Sequence, residues 1–391
     1  MTVVRATGIA FATTVSLAFV ACEAPPPRIG EPLRGLDEAE LARFRAGEAL
    51  FNRVFSPEEG LGPLFNENQC SACHTDPEAG GTGEQRVVKA RLISDLGTCD
   101  LLTAEGGENV RSQTTPLLRT HGVVEEAIPE AATQRARFTV PFLFGLGLIE
   151  AIPEEAILSR ADSSDADGDD VSGRAGRDSD GRLARFSRKA EVATIKAFVE
   201  SALLFEMGLT TPSRPDEIGP SGRPLPSGTD PAADPEVAED LVALLTDFVR
   251  FLAPPPRRVP DDPDNARLVL EGERLFARVG CTSCHVPTMR AGPSTSAALD
   301  RVPVALYSDL LLHDLGAGLA NVCGIAALPS ELRTAPLMGL GLRERYLHDG
   351  RTRNLFDAIR MHGGEAEAAR RAFDALGRVR QESVIRFLRS L

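Results

Sequence analysis

No tryptophan occurs in this chain and only two tyrosines, so aromatic residues make up 5% of its 391 positions. A core this poor in aromatics must take flat apolar bulk from elsewhere or do without it. A basic excess is also missing. Lys and Arg number 43 against 56 Asp and Glu, a net charge of -13. That balance argues against nucleic acid as a partner; it suits solubility, or steering toward a basic protein partner. Long apolar runs are lacking as well. Thr7 to Ala21 is mostly small and apolar but too short to span a bilayer as a stable helix, and no other segment is long and apolar enough.

Arg5, that apolar stretch and the ending Leu17-Ala18-Phe19-Val20-Ala21-Cys22 read as a lipoprotein-type signal peptide over 1–22, with Cys22 lipidated. An ordinary secretory signal is the alternative, since Phe19 stands where such signals favour Leu. Residues 23–35, with Pro25-Pro26-Pro27, read as a stiff linker. On this reading the protein is periplasmic and meets a membrane through its lipid anchor only.

The length is too great for one comfortable core. An internal repeat divides it. Gly47-Glu48-Ala49-Leu50-Phe51-Asn52-Arg53-Val54 matches Gly272-Glu273-Arg274-Leu275-Phe276-Ala277-Arg278-Val279 at six of eight positions. Leu41, Phe44, Leu50, Phe51 and Val54 space as one helix face, and Asp37 with Glu40 forms a capping signature. In the second copy Leu268, Leu270, Leu275 and Phe276 follow Asp264. Phe248 to Leu252 and Val384 to Leu388 end a terminal helix in each half. The break falls at Ala253-Pro254-Pro255-Pro256, giving domains 36–256 and 257–391.

Each repeat helix precedes a Cys-x-x-Cys-His: Cys70, Cys73 and His74, then Cys281, Cys284 and His285. The repeats lie 225 residues apart and the motifs 211, so the first copy carries 14 extra residues. Cys-x-x-Cys-His is the haem c attachment signal: two thiols add to the vinyl groups and the histidine faces the iron. Zinc or a redox dithiol would explain one copy in isolation. Two copies behind the same helix point to two haem c groups. The expected fold is mainly α, with two cytochrome c-like domains each holding a covalent haem, and the N-terminal domain enlarged by loop insertions over about 75 to 230. Cys99 and Cys323 remain, as a clamp between domains or as two separate thiols. Asp165, Asp167 and Asp169 alternate around Gly168 as candidate calcium ligands, with a solvated acidic loop as the alternative.

Tyr346-Leu347-His348-Asp349-Gly350 followed by a helix resembles bacterial dihaem cytochrome c peroxidases. Phe144 to Pro153, Asp165 to Arg174, Tyr307 to Asp314 and His362 to Glu367 resemble the related dihaem oxidoreductases. The resemblance implies electrons taken from a small redox protein and a small-molecule substrate such as hydrogen peroxide. It places a methionine ligand of the second haem fourteen residues after His348, where this chain has His362. His362 is therefore the expected sixth ligand, ahead of Met361 and His313. The first haem is the expected reaction centre, with His121 and Glu150 as candidate distal groups. The tryptophan that bridges the haems in the peroxidases has no counterpart here. An electron-transfer cytochrome without substrate, or a haem oxidase of another reductant, stays open.

Overall fold

The computed structural model describes residues 25–391. The signal-peptide reading and Cys22 lie outside them.

Eleven α-helices and nine short strands occur among the described residues. The first half holds α1 (Glu38–Phe51), α2 (Cys70–Cys73), α3 (Pro116–Arg119), α4 (Leu146–Glu150), α5 (Glu154–Leu158), α6 (Ile195–Met207) and α7 (Glu239–Phe251). The second holds α8 (Pro263–Arg278), α9 (Leu355–Arg360), α10 (Glu367–Asp374) and α11 (Arg378–Ser390). The capping box on α1 forms as its sequence demands: Glu40 N–H donates to Asp37, and Asp37 N–H to Glu40. On α8 the cap is Asp262, and Asp264 falls inside the first turn. Leu270 points to solvent, and the buried stripe is Val269, Gly272, Leu275 and Phe276.

Each half is built on one helix pair, α1 against α7 and α8 against α11. The repeated glycine explains the closeness. A methyl group on Gly47 would overlap the carbonyl oxygen of Leu244, and one on Gly272 that of Ser383. We expect Gly272→Ala to destabilise the protein by about 1–3 kcal/mol through overpacking. Chemical denaturation checks this, and an unchanged midpoint would show that α11 can yield.

A second duplication follows the haem motifs. Pro141-Phe142-Leu143-Phe144-Gly145-Leu146-Gly147-Leu148 parallels Pro336-Leu337-Met338-Gly339-Leu340-Gly341-Leu342 with one residue dropped. Gly145 and Gly339 both take positive φ, 73° and 72°. Gly147 and Gly341 then pass against the last-helix carbonyls of Arg250 and Arg389.

The excursion between 75 and 230 is more than loops. Its β4 (Gln113–Thr114) pairs with β1 (Leu64–Phe65), which precedes it, and it contains an antiparallel sheet in the order β3 (Cys99–Asp100), β2 (Arg86–Ile93), β5 (Gln134–Thr139). It also carries α6. In the second half β6 (Met289–Arg290) pairs β7 (Pro303–Val304), and β8 (Leu312–Asp314) pairs β9 (Glu331–Arg333). The larger core cluster runs from Phe44 to Phe251 and takes in Met289, Val304, Leu306 and Leu311, so the two halves share it. A smaller cluster around Leu275, Phe276, Tyr307, Phe373 and Phe387 belongs to the second half. Cys99 and Cys323 are disulfide-bonded across the halves, with Cα atoms 5.8 Å apart.

Candidate functional site

The two Cys-x-x-Cys-His segments are superimposable in their chemistry. Cys70 to Cys73 form one helical turn, and Cys281 to Ser283 a tighter 3-10 turn. In both, the histidine N–H bonds back to the first cysteine carbonyl, at 3.1 and 2.9 Å. His74 Nδ1 donates to Gly81 O at 3.0 Å and His285 Nδ1 to Tyr307 O at 2.9 Å. Each ring packs on the phenylalanine of its repeat helix, Phe51 or Phe276, at 6.0 Å between centroids. A carbonyl acceptor on Nδ1 fixes the tautomer and leaves the Nε2 lone pair for a metal. Desolvation holds both imidazoles down to about 4, so they stay neutral. The same burial pushes the Cys70, Cys73 and Cys281 thiols up to about 12. Two uncharged thiols beside one neutral imidazole are the donor set that haem c attachment uses, and the residues present fit that group.

The second site has a further imidazole. His362 follows α9, and its Nδ1 donates to Ala358 O at 2.8 Å, again freeing Nε2. It lies within electrostatic reach of His285. Met361 is 39% exposed and turned outward, as adjacent positions at a helix end must diverge. His313 is unsuited to iron because both nitrogens are taken: Nε2 meets Asp309 at 2.8 Å and Nδ1 meets Glu365 at 2.7 Å.

The first site opens on a cavity of about 280 Å³ whose walls include His74, Cys70, Cys73, Glu206, Met207 and Met338. Neither expected distal group is there. His121 is exposed on the turn after α3. Glu150 caps α6 by accepting from Ile195 N–H at 2.7 Å, and pairs with Arg250 at 3.1 Å. The acid in the wall is Glu206, which Asn66 and Asn109 hold through their amide groups at 2.7 and 2.5 Å. Desolvation pushes it up to about 7. The sequence reading missed it, although an acid at the end of the apolar helix α6 was a signal.

Of the acidic loop, Asp162, Asp165 and Asp167 bring carboxylate oxygens within 4.8 Å of one another. Asp169 is not among them; it accepts from Val171 N–H at 2.9 Å. A second, unforeseen group gathers Glu217, Asp230, Asp234 and Glu236. Desolvation, then repulsion from Glu236, pushes Glu217 up to about 8. A carboxyl raised in the folded state stabilises below its unfolded value and loses that contribution as pH rises through the folded one. In chelator-containing buffer, therefore, Glu217→Gln should gain thermal stability on wild type between pH 5 and pH 8. Thermal melts at both pH values read this, and an identical gap at both would refute it.

Residues 123–391 match the family described as "Di-haem oxidoreductase, putative peroxidase". No curated protein matches. Among solved structures, the Kuenenia stuttgartiensis hydrazine synthase is similar at 14% identity and TM-score 0.42, over 98% of this chain and 100% of that one. A MauG-like protein associated with microbial copper homeostasis follows at 15% and 0.36, over 96% and 95%. The diheme peroxidase BthA from Burkholderia thailandensis E264 gives 16% and 0.32, over 94% and 93%.

Proposed function

The chain belongs to the di-haem oxidoreductase family, and on that premise we propose that it is an exported dihaem c-type cytochrome that reduces a small substrate such as hydrogen peroxide at its first haem. Two cytochrome c-like units, 36–256 and 257–391, each hold one haem c, through Cys70, Cys73 and His74 and through Cys281, Cys284 and His285. The observation that carries the reading is the inequality of the two sites. His285 has a second free imidazole nearby in His362, whereas His74 shares its cavity with an acid, Glu206, and with no other histidine among the described residues.

Bound haem supplies one-electron redox chemistry at both sites and, at an open face, peroxide reduction. The balance is H₂O₂ + 2 e⁻ + 2 H⁺ → 2 H₂O, with electrons from a small basic redox protein steered by the acidic surface. His362 would offer its free Nε2 to the haem held at the second site. Glu206 holds a proton near neutral pH on the cavity wall, where peroxide chemistry consumes protons. Asp162, Asp165 and Asp167 hold a calcium ion, favoured by a buried Asp165 oxygen that has no partner among the described residues. A periplasmic protein tethered through Cys22 accords with the Cys99–Cys323 disulfide, which suits an oxidising compartment.

The test is spectroscopic. Purified holoprotein should carry two haems per chain by pyridine haemochrome. Its electron paramagnetic resonance should show one high-spin or peroxide-responsive haem. Two low-spin haems that ignore peroxide would overturn the proposal. They would favour a second reading, supported by Met338 in the cavity wall: a thioether on the first iron and a purely electron-transferring protein.

A further inference from the structure

Four cations of this chain line the first cavity from the seam between the halves: Arg188, Lys189, Arg333 and Arg343. Lys189 is satisfied by three carbonyls, of Leu328, Pro329 and Glu331, at 2.7 to 3.0 Å. The three guanidiniums are not matched by charge. Arg188 donates to the carbonyl and hydroxyl of Thr139, both at 3.3 Å. Arg333 donates to the carbonyls of Ser187 and Thr334 at 2.8 and 3.1 Å. Arg343 stacks on Phe142 with 4.4 Å to the ring centroid. Among the described residues no carboxylate reaches ion-pair distance of these three. The acid nearest in effect to Arg333, Asp309, is already spent on His313. Desolvation presses Arg188 down to about 10 and Arg333 and Arg343 to about 9.

His348 joins this group from the other side. Both its ring nitrogens are buried and neither has a hydrogen-bond partner among the described residues. Arg188, Lys189, Arg333 and His362 all act on it electrostatically. Its carbonyl accepts from Thr139 N–H at 3.0 Å and Thr139 Oγ1 at 3.2 Å. Thr139 is a wall residue of the first cavity. His348 is thus tied through its backbone to a wall residue of that cavity and lies within electrostatic reach of His362.

Guanidinium stays charged at any working pH, and a desolvated charge without a counter-charge is costly. A desolvated imidazole without a partner among the described residues adds a further penalty. Both deficits point to a missing anion. The planar fork of arginine matches a carboxylate bidentately, and a porphyrin carries two propionate carboxylates.

We propose that His348, Arg188 and Arg333 form a carboxylate-binding seam that holds haem propionate groups where the two halves meet. The inference rests on the dihaem reading above. His348 is a positioning residue in this arrangement: it donates a hydrogen bond to a carboxylate next to the second site. A seam of this kind gives a chain without tryptophan a hydrogen-bonded junction between its two sites.

The experiment compares wild type with His348→Ala and His348→Gln as full-length holoproteins. The readouts are haem stoichiometry, the propionate-bending bands in resonance Raman spectra, and the potential of each haem by spectroelectrochemical titration. Two haems per chain should persist in all three proteins. His348→Ala should displace a propionate band and shift the second haem's potential. His348→Gln, which retains a donor, should return both toward wild type. Unchanged bands and potentials in folded His348→Ala overturn the seam. Acetate titrated into wild type separates the two sources of carboxylate: a saturable spectral change that His348→Ala weakens would assign the seam to a diffusible anion and overturn the propionate assignment. Fewer than two haems in wild type would instead defeat the dihaem reading.

Discussion

Replacing His313 with leucine is expected to cost about 3–5 kcal/mol, the penalty for leaving buried charges without their partner. His313 and Asp309 are 3% and 2% exposed, and Glu365 closes the other side of the ring. Burial alone would lower the imidazole's proton affinity. Hydrogen bonds with Asp309, then Cys284 and Glu365, reverse this and push it up to about 12. Burial likewise opposes the Glu365 charge, but His313, Asp314 and Ser172 hold that carboxyl down to about 2. Glu365 also accepts from Ser172 N–H at 3.1 Å and Oγ at 2.8 Å, which ties the clamp to the first half. The pH dependence follows from the signs. The raised imidazole contributes fully below its unfolded value of 6.5 and loses this as pH climbs toward 12. The depressed carboxyl contributes fully above 4.5 and loses it as pH falls toward 2. The gap between wild type and His313→Leu should therefore be widest between about 4.5 and 6.5 and narrow on both sides. Denaturation across that range measures it, and a gap independent of pH would mean that His313 is a neutral space-filler.

Substituting His362 by methionine should raise the potential of the second haem by a few tenths of a volt, a sizeable part of the roughly 0.8 V that axial ligands span. Imidazole favours the oxidised iron relative to thioether, so the direction is fixed by ligand chemistry. His362 is suited to the exchange because its Nδ1 bond to Ala358 O aims Nε2 while the helix end anchors the backbone. Redox titration with optical detection of each haem reads the result. A second-haem potential that stays in place would remove His362 from the iron, and the proposal for that site with it.

Both substitutions fall at residues the sequence singled out, yet only partly for the right reason. The repeat helices were legible because their apolar periodicity and their glycine are local, and the same glycine turned out to set the helix spacing. The second duplication, Pro141 to Leu148 against Pro336 to Leu342, was equally present and went unread because its copies differ in length by one residue. His313 was weighed as an iron ligand. Its two carboxylate partners lie 4 and 52 residues away, and only the fold brings them together. Glu150 was chosen for its place in a motif, but its work is on the amide of Ile195, 45 residues on. Glu206 and the unpaired arginines escaped notice because a surface acid and a cavity acid look alike in one dimension. The boundary at Pro256 marks the chain's crossing between helix pairs. It does not mark the edge of a core, since Met289 and Leu306 carry no periodicity that would assign them to the first half's interior.

The disulfide gives the molecule a different connectivity from that of its backbone. Cys99 and Cys323 close a covalent ring that contains the second haem motif and the proline-rich crossing, while the first motif hangs outside it. One cut anywhere in that ring opens it without releasing a fragment. A protease that nicks the crossing therefore leaves a single molecule with both haem segments attached, and the pieces come apart only under a reductant.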